Sequence, residues 1–297
     1  MKDFVIYTVL TGGYDDVLQP RVVDERFDYV LFSNDIKDGE AGIWSIRPIP
    51  PVVNDGGKRL SRYPKTHPET LLADYKASLY IDANIQIMDQ WVYDRFVELY
   101  GQNTEYAGVK LVLTGRDCIY EHSFDMVQAL LEHDYAAIRQ CHELYKRGFP
   151  RHFGLNENNV IFRIHTERMR EVDEQWWWWI CNYSSRDQFS LMYCLWKNGI
   201  ALNYFLPQGE DARNGEHFRL VNHDGRASVI KTKVIKRGFV ERLRVKSKTF
   251  NPDRHLSNWL RFYKFSCPVL ALRADGLLSI TTNLFNLLKC AIKKKRG

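Results

Sequence analysis

Long apolar runs, paired cysteines and familiar phosphate-binding motifs are missing from this sequence of 297 residues. No window of about 18 apolar residues occurs, so we expect no membrane-spanning helix. The apolar run at the amino terminus is too short for the core of a signal peptide. The six cysteines are scattered without a CxxC pair, which indicates reduced thiols rather than a disulfide framework or a zinc site. Neither a GxGxxG motif nor a Walker lysine follows the first predicted strand.

Positive charge is concentrated in one part of the chain. The net charge is +6, yet residues 228–297 contain 17 Lys and Arg residues against three acidic ones, and residues 1–227 carry an acidic excess. Length and apolar content favour one α/β domain over residues 1–227, followed by a basic, mainly helical appendage over residues 228–297.

The appendage ends in a pattern typical of lipid-binding helices. Residues 281–296 place apolar side chains along one stripe and finish with KKKR. A helix of this type lies on anionic lipid, so we predict a cytoplasmic protein, peripheral at the inner face of the cell membrane. Because few aromatic side chains interleave with the basic ones, nucleic acid is the less favoured partner. Contact with another subunit is an alternative.

Short β-rich segments alternate with loops and helices along residues 1–227. The predicted strands span residues 4–9, 29–33, 43–49, 77–87, 106–114 and 156–164. Helices are expected from residue 68 to about 75, over 90–100, over 123–147 as one long helix, and from 186 to 196. This alternation predicts an α/β fold with a mostly parallel central sheet, whose ligands sit beyond the carboxyl ends of the strands.

Residues 58–89 carry the strongest functional signal. Five basic residues precede the fourth predicted strand: Lys58, Arg59, Arg62, Lys65 and His67. Asp82 and Asn84 lie two apart in that strand, so we expect their side chains on one face. Neighbouring oxygen ligands can bind Mg²⁺ or Mn²⁺, and basic side chains can hold the phosphates that the ion bridges. The pattern predicts a nucleotide-diphosphate site, although a turn-forming acid and solvated basic residues would also account for it.

Other segments add chemistry-capable residues and aromatic surface. Asp187 and Gln188 open a later helix, where an acid in the first turn also suits any helix start. Successive helical residues are about 100° apart, so the four tryptophans at 176–179 cannot share one face. At least one is expected to be exposed or set in a groove, where sugar stacking is the alternative to core packing. The loop at 208–222 contributes Glu210, Asp211, Glu216 and His217.

Taken in order, several short segments resemble a known family. They are TGGYD, YVLFS, RxxRxxKxHP, SLYIDANI, RDCIYEH, the run of tryptophans and SSRDQFS. This succession is similar to the glycosyltransferase-like family shared by plant Golgi mucilage-related proteins and bacterial polysaccharide-cluster proteins, over about residues 4–223. The resemblance implies a GT-A-type fold, a single Rossmann-like domain that binds a nucleotide-sugar donor in its first half and an acceptor in its second.

The resemblance also implies roles for individual residues. The IDAN segment stands where GT-A enzymes keep a metal-binding DxD motif, so Asp82 and Asn84 would face the diphosphate and its Mn²⁺ or Mg²⁺. Asn84 departs from that motif because its side chain is neutral. His223, with His217 in reserve, would complete the metal shell, and Asp187, Glu121 and His122 are the catalytic candidates. Tyr14, Asp15, Asp35 and Asp82 also lie at the carboxyl ends of predicted strands, where ligands sit. The donor-binding candidates are Thr11, Gly12, Tyr14, Asp15, Asp35, Arg59, Arg62, Lys65, Asp82, Ala83, Asn84 and Gln188.

These expectations converge on one function, with two alternatives. We predict a nucleotide-sugar-dependent glycosyltransferase that acts on a cell-surface polysaccharide, such as a capsule or O-antigen, or on a lipid-linked glycan precursor. One alternative is a metal-dependent hydrolase that uses Asp82, His217 and His223. The other is a non-catalytic module that binds sugar or nucleic acid.

Overall fold

A computed structural model describes residues 2–12, 17–36, 41–52, 59–112, 115–128, 131–132, 134–213 and 215–221. Of these, the residues up to 119 and from 149 onward form one compact unit, and residues 120–148 belong to a second. The strands are β1 (Phe4–Val9), β2 (Phe27–Phe32), β3 (Ser45–Arg47), β4 (Ala77–Ile81), β5 (Ile85–Ile87), β6 (Tyr106–Lys110), β7 (Asn156–Ile164), β8 (Asn203–Tyr204) and β9 (Phe218–Leu220). The α-helices are α1 (Pro68–Leu71), α2 (Trp91–Gly101), α3 (Ile119–Gln128), α4 (Asp134–Lys146), α5 (Glu167–Asn182) and α6 (Leu191–Lys197).

Seven of these strands form a central sheet in the order β3-β2-β1-β4-β7-β6-β8. The pairs β1–β2, β1–β4, β2–β3 and β6–β8 are parallel, whereas β7 runs antiparallel to β4 and β6. The predicted α/β fold with a mostly parallel sheet is therefore confirmed. All five residues of β4 are buried, as expected for a strand covered on both faces.

Aromatic side chains fill the core between this sheet and α2. The ring of Phe96 on α2 lies 4.8 Å from that of Phe27 on β2 and 4.9 Å from that of Phe162 on β7. Each such side chain contributes roughly 1.5–3 kcal/mol by leaving water. The buried positions of α2 follow the helical period expected for one apolar face. This core fixes the strands whose ends carry the site.

The prediction of one continuous strand over residues 77–87 is wrong, because a turn divides it into two strands. β4 ends at Ile81, and residues 82–84 form a turn closed by a hydrogen bond from the Ile85 amide to the Asp82 carbonyl, 2.9 Å long. β5 then pairs with β9 in a separate two-stranded sheet. Because Asp82 and Asn84 lie in a turn, the argument that alternation along a strand places them on one face does not hold.

The single helix predicted over residues 123–147 is also wrong. It is two helices, α3 and α4, because the amides of Leu131 and Glu132 both donate to the Met126 carbonyl and close the end of α3. No glycine or proline marks this break in the sequence, and the apolar period continues across it. The periodicity therefore predicted the helical residues but not their division.

Several element bounds also differ from the prediction. The helix after His67 ends at Leu71, and the one expected from residue 186 is a 3-10 turn, Asp187–Phe189, followed by α6. The prediction of strands at residues 4–9 and 156–164 is confirmed with the same bounds. No helix in the described ranges is both long and apolar enough to cross a membrane. The boundary at residue 227 and the appendage at 228–297 lie outside the described residues.

Candidate functional site

A pocket with a volume of about 660 Å³ lies at the carboxyl ends of β1 and β4. Because β7 is antiparallel to β4, its amino-terminal end meets the same edge of the sheet, with Val160 paired to Ile81. The edge of a mostly parallel sheet where carboxyl ends meet is the usual place for a ligand. The charged and polar side chains that line the pocket are Thr11, Ser61, Arg62, Lys65, Tyr80, Asp82, Asn84, Glu157, Asn159, Arg186, Asp187, Gln188 and Arg213.

The turn after β4 is held by backbone hydrogen bonds on both sides. The Asp82 amide donates to the Asn159 carbonyl on β7 over 2.8 Å, and the Val221 amide donates to the Asn84 carbonyl over 2.9 Å. The turn is thus tied to β7 and to the residue that follows β9. Its side chains are presented to the pocket by a fixed backbone.

Lys65 lies at the centre of the pocket's charged wall. Its Nζ is 2.6 Å from Asp187 Oδ2 and 3.4 Å from Asp82 Oδ1, and it sits 4.6 Å from the centre of the Tyr80 ring. The Tyr80 hydroxyl donates to the same Asp82 oxygen over 2.6 Å. The backbone of Lys65 is held as well, because Arg163 Nη2 donates to the Lys65 carbonyl over 2.8 Å. The ammonium group therefore bridges two carboxylates from distant parts of the chain.

The surrounding charges determine the protonation of this wall. Burial alone would raise the pKa of Asp187, but the charges of Lys65, Arg62 and Arg186 outweigh it and lower that pKa below its ordinary value. Burial and the charges of Asp82 and Asp187 raise the pKa of Tyr80 well above its ordinary value, so the hydroxyl keeps its proton. Asp187 is consequently a charged counter-ion and a weak base.

Two further lining residues, Glu157 and Asn159, contain buried polar atoms without hydrogen-bond partners in the described ranges. Glu157 Oε2 accepts hydrogen bonds from Arg213 Nε, at 2.9 Å, and from Asn159 Nδ2, at 2.8 Å. Within the described ranges, Glu157 Oε1 and Asn159 Oδ1 have no hydrogen-bond partner, although the two residues are only 6% and 5% exposed. Burial raises the pKa of Glu157, and the charge of Arg213 partly opposes that shift. Buried acceptors of this kind need a partner, which a bound ligand can provide.

The structure brings together most of the predicted donor-binding set. The predicted donor-binding residues that line the pocket are Thr11, Gly12, Arg62, Lys65, Asp82, Ala83, Asn84 and Gln188. The catalytic candidate Asp187 lines it too. Asp35 does not line the pocket, but it accepts a hydrogen bond from the amide of Gly12, which does. Arg59 instead donates from Nε to the Ile180 carbonyl at 3.1 Å, which ties it to α5. Tyr14, Asp15 and His223 lie outside the described residues.

Other candidates have surroundings that favour packing. Glu121 and His122 lie in α3 within the second unit and are 5% and 2% exposed, so their catalytic role stays a prediction. His217 stacks on Trp91 with 3.9 Å between ring centres, and its Nδ1 lies 2.8 Å from Asp89 Oδ2. These contacts hold β9 beside α2, which gives no support to a hydrolase built on His217.

The tryptophan run divides as the helical period requires. Trp176 and Trp179 are buried, Trp177 packs edge-on against Tyr63, and Trp178 is 46% exposed. Trp176 Nε1 also donates to the Asp187 carbonyl over 2.9 Å, which places α5 beside the pocket wall. The prediction that at least one of the four is exposed is confirmed.

Six polar pocket residues, Ser61, Tyr80, Glu157, Asn159, Arg186 and Arg213, were not among the sequence candidates. Tyr80 was read only as part of an apolar strand, and Arg186 only as part of a helix start. The usable signal for Glu157 and Asn159 was the run of four polar residues, NENN, that opens a strand buried along its length. Arg213 gave no local signal, because its place depends on the partner carboxylate 56 positions away.

The described donor set does not fit a divalent metal. Asp82 Oδ1 already accepts from Tyr80 and lies 3.4 Å from the Lys65 ammonium, while Asp187 is paired with the same ammonium. A divalent cation on Asp82 would lie beside a buried like charge, with only a neutral amide from Asn84 to help hold it. The Mn²⁺ or Mg²⁺ site stays a prediction against which this geometry argues.

Solved structures to which this chain is similar include two glycosyltransferases. No protein-family model matches the chain, and no curated protein matches it. One similar structure is galactosyltransferase LgtC in complex with donor and acceptor sugar analogues, at 12% identity over 67% of this chain and 72% of that chain, with a TM-score of 0.42. Another is the bifunctional glycosyltransferase WbbM in its apo form, at 11% identity over 69% of this chain and 39% of that chain, with a TM-score of 0.41. Both neighbours are glycosyltransferases.

Proposed function

We propose that this chain is a GT-A-type glycosyltransferase that moves a sugar from a nucleotide-diphosphate donor to a glycan or lipid-linked glycan acceptor. The observation that carries this proposal is the arrangement of one pocket. Basic side chains, among them Lys65, line the same pocket as Glu157 and Asn159, each of which has a buried acceptor atom without a partner among the described residues. A diphosphate sugar has the complementary pattern, with negative charge at one end and hydroxyl donors at the other.

The basic wall suits the leaving group of such a transfer. Breaking the bond between the anomeric carbon and the phosphate oxygen increases the negative charge of the departing diphosphate. Fixed cations aimed at that charge stabilise the transition state more than the ground state. Lys65, Arg62 and Arg186 line the pocket and are the residues we assign to this role. Lys65 is held in place through Asp187 and through Arg163, which binds its carbonyl.

Glu157 and Asn159 suit the transferred sugar. Once their side chains turn toward the pocket that they line, Glu157 Oε1 and Asn159 Oδ1 can each accept a hydrogen bond from a sugar hydroxyl. Leaving such a buried group without a partner costs about 1–3 kcal/mol. Gln188 supports this segment, because its Nε2 donates to the carbonyls of Asn156 and Glu157 at 3.3 and 3.2 Å. A donor that lacks the matching hydroxyl is therefore expected to bind more weakly.

Asp187 is assigned a positioning role in this scheme. Its lowered pKa and its contact with the Lys65 ammonium make it a poor acceptor for the proton of an acceptor hydroxyl. It instead fixes the ammonium where the diphosphate forms.

A ligand screen tests the proposed function. Melting temperatures are measured with UDP, GDP, ADP and their sugar conjugates, and product analysis with glycan acceptors follows for any conjugate that binds. A ligand that binds the native state alone raises the melting temperature. We expect one nucleotide class to do so for the wild type, Arg62→Gln to weaken that shift, and Arg170→Gln on the exposed face of α5 to keep it. No shift with any of these compounds would refute the proposal.

The cellular setting is proposed from charge alone. We propose that the 17 basic residues within 228–297 hold the protein on the anionic inner face of the cell membrane, near a polysaccharide or lipid-linked acceptor. Co-sedimentation of the full chain with anionic but not neutral vesicles is the expected result. Equal recovery with both kinds of vesicle would contradict it.

A further inference from the structure

We infer that Lys65 takes the place of a divalent metal ion in this pocket, so that nucleotide diphosphates bind without metal. The inference rests on the proposed function and concerns how the charge of its diphosphate is neutralised. It departs from what the resemblance to GT-A enzymes implies for Asp82 and Asn84.

The position of the ammonium is the first argument. Lys65 Nζ lies 2.6 Å from Asp187 Oδ2 and 3.4 Å from Asp82 Oδ1, so the ammonium bridges these two carboxylates. A metal ion shared by both carboxylates would compete with the ammonium for them. The Tyr80 hydroxyl supplies a further donor to Asp82 Oδ1 at 2.6 Å. The cation position between these carboxylates is thus occupied by a side chain of the protein itself.

The burial of the pair is the second argument. Lys65 is 4% exposed and Asp187 is 9% exposed, so neither charge is compensated mainly by water. Displacing the ammonium would remove the direct hydrogen bond and ion pair of the buried Asp187 carboxylate, which is unfavourable. A bound metal ion would have to displace or adjoin this ammonium. An exposed lysine, by comparison, could rotate away at little cost.

The charge of the whole pocket is the third argument. Four cationic side chains, Arg62, Lys65, Arg186 and Arg213, line it against three carboxylates, Asp82, Glu157 and Asp187. The described lining therefore has one excess positive charge before any ligand binds. The neutral amide of Asn84 stands where a second carboxylate would be needed to offset an added ion. Arg62 and Arg186 can contact the phosphates directly, which completes the role that a metal would have.

Calorimetry with and without metal provides the test. UDP, GDP and ADP are titrated into the full chain in excess EDTA, then in millimolar Mn²⁺ or Mg²⁺. We expect the diphosphate that binds to show dissociation constants within about threefold of each other, a difference below 1 kcal/mol. Electron paramagnetic resonance of Mn²⁺ with the protein alone is expected to show the free aqueous signal only.

A substitution at position 65 sharpens the test. Lys65→Met is expected to weaken diphosphate binding in EDTA by about tenfold or more. Because it releases both carboxylates, this variant is also expected to bind Mn²⁺ detectably by resonance. Lys76→Met is the matched control, since Lys76 is exposed and pairs with Asp3 away from the pocket. The control should behave as the wild type in both measurements.

The outcomes separate this inference from the proposed function. Diphosphate binding by the wild type that requires Mn²⁺ or Mg²⁺ would overturn the inference and leave the glycosyltransferase proposal standing. Absence of diphosphate binding under every condition would overturn both. If Lys65→Met does not fold, the wild-type calorimetry and resonance measurements decide the question without it.

Discussion

Two buried ion pairs in the same unit differ in what surrounds them. Arg163 and Asp173 are 2.6 Å apart, and each side chain is 1% exposed. Lys65 and Asp187 are also 2.6 Å apart, but their side chains are 6% and 13% exposed and line the pocket. The two pairs have the same separation between their charges, but only the Lys65–Asp187 pair is accessible to a ligand in the pocket. Access, rather than distance, therefore distinguishes a site from a structural pair.

The enclosed pair supports the accessible one. Arg163 Nη2 donates to the Tyr7 hydroxyl and to the Lys65 carbonyl, and Nη1 donates to Asp173, so both terminal nitrogens are held by groups of the protein. Burial and the Asp173 charge act on Arg163 in opposite directions, and its pKa stays high enough to keep it charged. Arg163 thus fixes the backbone of Lys65 while the Lys65 side chain faces the pocket.

The largest expected effect comes from breaking the enclosed pair. Arg163→Met leaves the Asp173 carboxylate buried without its partner, and we expect a loss of about 3–5 kcal/mol in the free energy of unfolding. Lys65→Met should cost clearly less, because Arg62 and Arg186 still compensate the charge of Asp187. Urea unfolding of both variants at neutral pH measures the difference. Equal losses of unfolding free energy in Arg163→Met and Lys65→Met would contradict the distinction between the two ion pairs.

A smaller effect, dependent on pH, tests whether the surroundings of Arg163 exclude water. Burial and the charge of Arg163 lower the pKa of His165 from 6.5 to about 4. As pH falls below 6.5, His165 binds a proton in the unfolded chain, whereas in the folded protein it binds that proton only near pH 4. Taken by itself, the titration of His165 should therefore lower the free energy of unfolding by roughly 3 kcal/mol across that interval. Glu69 and Asp173, whose pKa values are raised by burial, act in the opposite direction.

The matching variant is His165→Gln, which removes the titrating group. Its unfolding free energy should fall less steeply between pH 6.5 and 4 than that of the wild type. The other titrating groups, among them His67, whose pKa is also lowered by burial, are common to both proteins and cancel in the comparison. Urea titrations at several pH values give both slopes. Parallel slopes for the variant and the wild type would show that His165 is open to water in the native state.

The smallest expected effect concerns the polar wall of the pocket. Glu157→Gln removes the charge that Arg213 compensates and changes the acceptor at the sugar position. We expect nucleotide-sugar affinity to fall by about tenfold, near 1.4 kcal/mol, while the affinity for the nucleoside diphosphate alone stays the same. Calorimetry with the nucleotide sugar and with the nucleoside diphosphate measures the change in each affinity. Equal weakening of both would place Glu157 at the diphosphate instead.

Sequence reasoning went furthest where the signal is local. The apolar segments at β1 and β7 gave those strands with the observed bounds, and the basic cluster before β4 identified one wall of the pocket. It failed where periodicity continues through a break. The apolar pattern of residues 77–87 runs across the turn after Ile81, and that of residues 123–147 runs across the end of α3. A pattern of burial does not record which partner strand or capping bond ends an element.

The amino-acid sequence by itself determined an α/β chain with a mostly parallel sheet and a concentration of basic residues beside Asp82. Only the tertiary structure decided that Lys65 meets Asp187, 122 positions later, and that Glu157 meets Arg213. The reason is physical. Burial and backbone preference act on neighbouring residues and leave a periodic trace, whereas a contact between distant charges depends on which strands lie side by side.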